Sequence, residues 1–244
     1  MSFFLYNFFH NETNDRSEKG TVVIPKDKNS WPLSWKVVAY KNYGLFKSFP
    51  LSIVGGQLWE ILCNRRSAQR YIVGNAINEE KISYILKCGY GLQNHTEEGR
   101  EEHRTVPSGG KRYPLEVYIF LFQSVDSYSP GAYHYGVKSH VLEPAVLTTF
   151  SQKDIESFSS QEITKSATGM ICLTSVFRRT VEKYGSRGYR YILLEAGHVA
   201  QNMLLAGTEK GVNISPIGGG NEDVIEKFLG LGSQQERVVY TLFF

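Results

Sequence analysis

The sequence predicts an α+β fold, a mostly antiparallel central sheet flanked by helices, and three observations carry that expectation. Residues 191–206 are almost all apolar or small, a stretch too long for a strand and too evenly apolar for a surface helix, so they predict a central, buried helix. Shorter apolar runs at 115–122, 170–176 and 238–244 read as strands. Helical patterns alternate with these runs, with no internal repeat and no low-complexity segment.

Taken in order, residues 1–55 mix aromatic and polar residues, and Trp31-Pro32 and Phe49-Pro50 interrupt any regular pattern, so they read as an irregular N-terminal arm wrapping a main domain of residues 56–244. The opening MSFFLYNFF lacks a basic segment and gives way to His10-Asn11-Glu12, which makes a poor signal peptide. From Gln57, Leu58, Ile61 and Leu62 fall on one helical face. Asn78 reads as an N-cap, with Glu79 and Glu80 in the first turn and Ile82, Ile85 and Leu86 at helical spacing up to Gly89. Residues 94–104 are polar and predict an exposed loop, after which Pro114 fixes the entry to the strand at 115–122. Tyr133-His134-Tyr135 alternates like a hairpin edge, residues 151–158 look helical, and a short basic helix runs through Arg178 and Arg179 to Lys183. The long helix stops at Lys210 and Gly211, a cation followed by a residue that accepts positive φ. Its Ala196, Gly197 and Ala200 offer a flat surface that suits a dimer seam, a cofactor pocket or plain core packing. An extended run at 212–217 leads to Gly218-Gly219-Gly220, and Asn221 caps a helix carrying Val224, Ile225, Phe228 and Leu229.

With 244 residues and 41% hydrophobic content the chain can bury a sizeable core. A formal charge of +3 gives no argument for a nucleic-acid partner. Cys63, Cys88 and Cys172 lie far apart without metal-ligand spacing, so neither a zinc site nor a disulfide framework is expected, and a reducing cytoplasm is the default location. Beyond the N-terminus no run of about 18 apolar residues occurs, so no membrane span is expected.

Three stretches carry ligand-binding chemistry. Arg65-Arg66-Ser67-Ala68-Gln69-Arg70 places three cations and a hydroxyl within six residues, which suits a phosphate, although a solvated basic helix end explains the same residues. In the segment 107–114, Gly109 and Gly110 bring backbone near a ligand while Ser108 and Lys111 can donate hydrogen bonds. A generic turn before a strand accounts for them equally, so the segment gains meaning from its companions. The glycines at 218–220 expose N–H groups against which a flat ligand can lie.

Those companions form an ordered set: Arg65-Arg66-Ser67; Arg104 with Pro107-Ser108-Gly109-Gly110 and Tyr113-Pro114; Tyr133-His134-Tyr135 with Leu142-Glu143-Pro144; Lys183-Tyr184 with Arg187-Gly188-Tyr189-Arg190; and PIGG ending at Gly218-Gly219. From about Gln57 to the end, the chain resembles the SagB-type, or azoline dehydrogenase, branch of the FMN-dependent nitroreductase superfamily. The resemblance implies a nitroreductase-like fold and a homodimer with FMN sites at the subunit interface. It implies oxidation of thiazolines or oxazolines in a ribosomal precursor peptide to thiazoles or oxazoles, with O2 as acceptor, beside a cyclodehydratase that makes the azolines. By the same resemblance Arg65 and Ser67, with Arg66 beside them, hold the FMN phosphate, and Arg104 belongs to the cofactor site. Ser108, Gly109 and Gly110 line the isoalloxazine, and Gly218 and Gly219 offer N–H groups near flavin N5 and O4. Gln69 stands where the superfamily often has a basic residue, and Arg70 follows. The sequence stops at Phe244 where many relatives continue with basic residues that reach the phosphate, which puts more of the expected affinity on Arg65 and Arg66.

Aromatising an azoline removes a ring proton and a hydride, so the site needs a base opposite the flavin. The resemblance assigns Lys183 as that base and Tyr184 as hydrogen-bond donor or proton relay. Arg178, Arg179, Arg187 and Arg190 lie nearby in sequence, and neighbouring cations and burial are what lower a lysine pKa. Two other readings remain open at this stage: an NAD(P)H-dependent nitroreductase or other flavin dehydrogenase acting on a small cyclic peptide, and a non-catalytic subunit that scaffolds a peptide-modifying complex.

Overall fold

A computed structural model of the chain describes residues 2–13, 27–37, 40–41, 44, 48–67, 77–93, 103–218, 220–231 and 236–244. Six strands, β1 (Leu115–Leu121), β2 (Gly131–Gly136), β3 (Val141–Leu147), β4 (Gly169–Val176), β5 (Ser215–Ile217) and β6 (Glu236–Phe243), form one sheet in the order β3-β2-β1-β4-β6-β5. Every pairing is antiparallel. The helices are α1 (Ser2–Thr13), α2 (Leu33–Lys36), α3 (Gln57–Asn64), α4 (Glu79–Tyr90), α5 (Gln152–Ser157), α6 (Arg178–Tyr184), α7 (Arg187–Glu209) and α8 (Glu222–Leu229).

The central strands read as unbroken apolar runs because both faces of the sheet are covered. Alternate residues of β1 and β4 point to opposite faces. Val117, Ile119, Ile171 and Leu173 join Ile82, Ile85 and Leu86 of α4 and Ile192, Val199 and Met203 of α7 in one core. Phe120, Met170 and Cys172 join Ile155 of α5, Phe158 and Ile225 of α8 in the other. Complete burial of side chains such as Phe120 and Ile192 contributes roughly 1.5–3 kcal/mol each, which is what fixes the register of these strands.

Caps define the helices, at Asn78 and Asn221 as the sequence expects. Asn78 accepts from the Lys81 N–H, Ser151 forms a capping box with Asp154, and Asn221 accepts from the Val224 N–H. Gly211, at φ 67°, follows Lys210 at the end of α7.

Three expectations need correction. The arm opens with a helix rather than irregular chain: α1 docks Tyr6 and His10 into the core, where both rings meet Phe177 and Tyr189, and His10 Nδ1 lies 3.1 Å from the Tyr189 hydroxyl. Burial, then the charge of Arg237, lowers His10 to about 4, so the ring is neutral near pH 7. Tyr133-His134-Tyr135 lies in β2, an interior strand, because β3 pairs outside it. Finally, the apolar length of α7 is divided between two faces. Ala196 and Ala200 pack into the core, while Gly197 faces open space beside the exposed Leu193 and Leu194, so the three small residues do not share one surface. Leu58 and Trp59 of α3, which packs on α7, are likewise 62% and 56% exposed. Among the described residues no helix is long and apolar enough to cross a membrane, and no cluster of metal-ligating side chains occurs.

Candidate active site

The segment entering β1 is strained. Gly110, Lys111 and Tyr113 have φ of 63°, 55° and 43°, in the left-handed region that only glycine enters freely. Its conformation is tied down at both ends. Ser108 Oγ accepts the Tyr113 N–H at 2.9 Å, the Tyr113 hydroxyl accepts the Arg104 N–H at 3.3 Å, and Arg179 Nη1 donates to the Tyr113 carbonyl at 3.4 Å. Strain persisting in non-glycine residues points to a functional constraint.

The bare side of Gly110 receives two side chains from the last turn of α6. A Cβ there would lie 2.8 Å from Lys183 Nζ and closer still to the Tyr184 hydroxyl. Gly185, at φ 57°, ends α6 immediately after them. The Tyr184 ring meets Tyr191 of α7 edge-on, and the Tyr191 ring in turn covers Gly109. The predicted catalytic pair and the predicted glycine loop are thus brought together. Lys183 itself is exposed to solvent.

A cleft of about 420 Å³ opens beside Gly110, lined by Leu92, Arg104, Lys111, Tyr113, Val137 and Lys138. Arg104 is held there by aromatic faces, its guanidinium carbon 4.2 Å from the Tyr90 ring centre and 4.9 Å from that of Tyr113. Each such contact is worth roughly 0.5–2 kcal/mol. Behind it Glu195 of α7, only 3% exposed, accepts from the Tyr90 hydroxyl at 2.9 Å. Burial raises the Glu195 carboxyl, against hydrogen bonds from Ser108 and Tyr90 and the charge of Arg104. One Arg104 nitrogen, Nη1, is buried without a hydrogen-bond partner among the described residues. The orphaned donor and the cations Arg104, Lys111 and Lys138 around the cleft fit an anionic group such as FMN.

The remaining predicted cofactor residues sit elsewhere. Arg65 caps the C-terminus of α3, and the Arg66 guanidinium turns back to donate to the carbonyls of Cys63 and Arg65. Ser67 is exposed. Gly218 follows β5 with open space where a side chain would stand. Gly219, Gln69 and Arg70 lie outside the described residues. Neither Arg65–Ser67 nor Gly218 lines the Gly110 cleft.

Sequence reasoning missed a polar chain behind this loop. His134 of β2 contacts Glu116 of β1 at 3.1 Å through Nε2 and Glu143 of β3 at 2.8 Å through Nδ1. Glu116 also pairs with Arg179 of α6 at 2.5 Å. The hydrogen bond with Glu116, and then that with Glu143, raise His134 to about 8 in spite of burial. Burial alone would raise Glu116; His134 and Arg179 overcome it and leave the carboxyl lowered. His134 and Glu143 stand in neighbouring sequence motifs, and nothing in their spacing indicates that they meet each other or Glu116.

The nitroreductase family profile matches residues 62–244, three quarters of the chain. The chain belongs to the nitroreductase family. It is 30% identical over 173 residues to MJ1384 of Methanocaldococcus jannaschii, a protein named as a nitroreductase, covering 71% of this chain and 84% of that one. It is 30% identical over 148 residues to the microcin B17-processing protein McbC of Escherichia coli, covering 58% of this chain and 53% of McbC. This second match therefore spans about half of the relative. Among solved structures, the Escherichia coli microcin synthetase McbBCD complex with truncated pro-MccB17 bound contains a chain of the same fold, with a TM-score of 0.71, 20% identity, and coverage of 100% of this chain and 92% of that one.

Proposed function

We propose that this nitroreductase-family protein is an FMN-dependent dehydrogenase that oxidises thiazoline or oxazoline rings of a ribosomally made precursor peptide to thiazoles or oxazoles. The carrying observation is the convergence of Lys183 Nζ and the Tyr184 hydroxyl on Gly110. The similarity to a microcin-processing protein agrees with it. In the reaction two C–H bonds on adjacent ring carbons break and a C=C bond forms, so one proton and one hydride leave. Lys183 takes the proton, and Tyr184 donates a hydrogen bond that orients the ring or relays the proton. Bound FMN would supply the hydride acceptor, with O2 as the final oxidant, reduced to peroxide. Ser108, Gly109, Gly110 and Arg104 would hold the flavin, with Arg65, Arg66 and Ser67 on its phosphate and Gly218 and Gly219 near its polar edge. A cyclodehydratase that forms the azolines would work alongside it.

The direct test incubates the purified protein with an azoline-containing peptide in air. A yellow protein, about two mass units lost per ring, the mass of two hydrogens, and peroxide release are expected. A yellow protein that leaves the peptide mass unchanged and instead reduces nitro compounds with NAD(P)H would be a nitroreductase of the MJ1384 kind; a colourless one would be a scaffold.

The separation of Arg65–Ser67 and Gly218 from the Gly110 cleft favours a flavin site assembled from two copies of the chain. The exposed Leu58, Trp59, Leu193 and Leu194 provide an apolar surface for such a homodimer. Light scattering on the flavin-bound protein is expected to give twice the chain mass of 27.7 kDa; a monomer that retains FMN sinks the two-copy site. Charge-assisted hydrogen bonds to phosphate are worth roughly 1.5–3 kcal/mol each. Arg65→Ala is therefore expected to weaken FMN binding about tenfold or more, measured by flavin fluorescence, and unchanged retention would move the phosphate elsewhere.

A further inference from the structure

Arg179 and Lys183 stand one turn apart on the same face of α6. Lys183 reaches Gly110, and Arg179 reaches the two elements that frame it. It pairs with Glu116 of β1 and donates to the Tyr113 carbonyl, while its own carbonyl accepts from Arg112 Nε at 2.7 Å. Glu116 is not free to follow Arg179, because His134 holds it from β2 and Glu143 of the outer strand holds His134. The Tyr118 ring, from β1, packs on the imidazole. A carboxylate fixed on a central strand therefore anchors the start of a short helix whose first residue lacks a side-chain cap. Thr180 and Val181 bury α6 against α7, and the Arg179–Glu116 pair is what ties it to the sheet beside the loop.

We propose that Glu116, backed by His134, is a positioning residue that acts through Arg179 to set α6, and with it Lys183 and Tyr184, against Gly110. The proposal rests on the reading of Lys183 and Tyr184 as catalytic. None of these three residues lines the Gly110 cleft, so their loss should slow turnover without changing how peptide or flavin binds.

The test compares the FMN-loaded wild type with Glu116→Gln, which keeps the side-chain size and removes the charge. In the first arm, amide hydrogen exchange is followed by mass spectrometry with and without flavin. Exchange in residues 179–185 is expected to rise about fivefold or more while α4 and β4 are unchanged, a local effect that general destabilisation would not give. In the second arm, kcat for ring oxidation is expected to fall about tenfold with KM within twofold. Unchanged exchange in α6, or exchange that rises everywhere, overturns the proposal, and so does local loosening with kcat kept within twofold. If the wild type oxidises no azoline, the functional reading has failed, and the exchange arm alone still decides whether Glu116 fixes α6. Arg179→Lys, which keeps the charge but puts no nitrogen at the Nη1 position that meets both Glu116 and the Tyr113 carbonyl, is read in both arms should Glu116→Gln not fold.

Discussion

Lys183→Ala is expected to fold, to bind FMN and to lose azoline oxidation by about 10²-fold or more, the usual size of a general-base contribution. Lys183 is exposed and stands in the last turn of a short helix, so its truncation leaves no cavity and strands no buried partner. What it removes is the amine beside Gly110. Tyr184→Phe should lose less, since the ring that packs on Tyr191 remains and only the hydroxyl goes. Single-turnover oxidation followed by peptide mass measures the effect. Ring oxidation by Lys183→Ala at the wild-type rate would place the base on another residue and remove the strongest support for azoline chemistry.

Gly110→Ala is expected to separate stability from activity in the same way, by a different route. The new methyl group would stand 2.8 Å from Lys183 Nζ and closer to the Tyr184 hydroxyl, so both tips must withdraw. The lysine tip ends a flexible side chain, and the tyrosine tip moves with a ring set edge-on to Tyr191, so neither displacement involves backbone. At φ 63° alanine adds left-handed strain of roughly 1–2 kcal/mol, enough to lower the melting temperature by only several degrees in a chain of this size. Ring oxidation, by contrast, should fall about tenfold or more, because a displacement near 1 Å of the reacting groups can cost a hundredfold. A variant that melts a few degrees lower yet oxidises at the wild-type rate would show that the pair on Gly110 has no part in the reaction.

The sequence made the inner sheet legible because β1 and β4 are covered on both faces and so spell continuous apolar runs, and because Asn78, Ser151, Asn221 and Gly211 mark helix ends by local chemistry. Helix α1 was not legible: aromatic residues favour helix weakly, and its ordering depends on Tyr6 and His10 finding Phe177 and Tyr189 far along the chain. Strand β3 was hidden by its exposed, proline-containing pattern, and the two faces of α7 were hidden by leucines that are buried on neither α4 nor the sheet. At the site, the motifs named Gly110 and Lys183 separately, and only the fold brings them together. The chain from Glu143 through His134 and Glu116 to Arg179 joins β3, β2, β1 and α6, a relation that no local spacing encodes.

The two outermost strands of the sheet each contain a proline, Pro144 in β3 and Pro216 in β5. Proline offers no N–H, and β3 is further disturbed by the register shift opposite Ala132 and Tyr133 and carries the charge of Glu143. A further strand from another molecule therefore cannot be templated cleanly at either side. Sheet-to-sheet growth of folded molecules into open-ended fibres is thereby disfavoured. Contact through helical surfaces can instead close on itself and end with a finite particle.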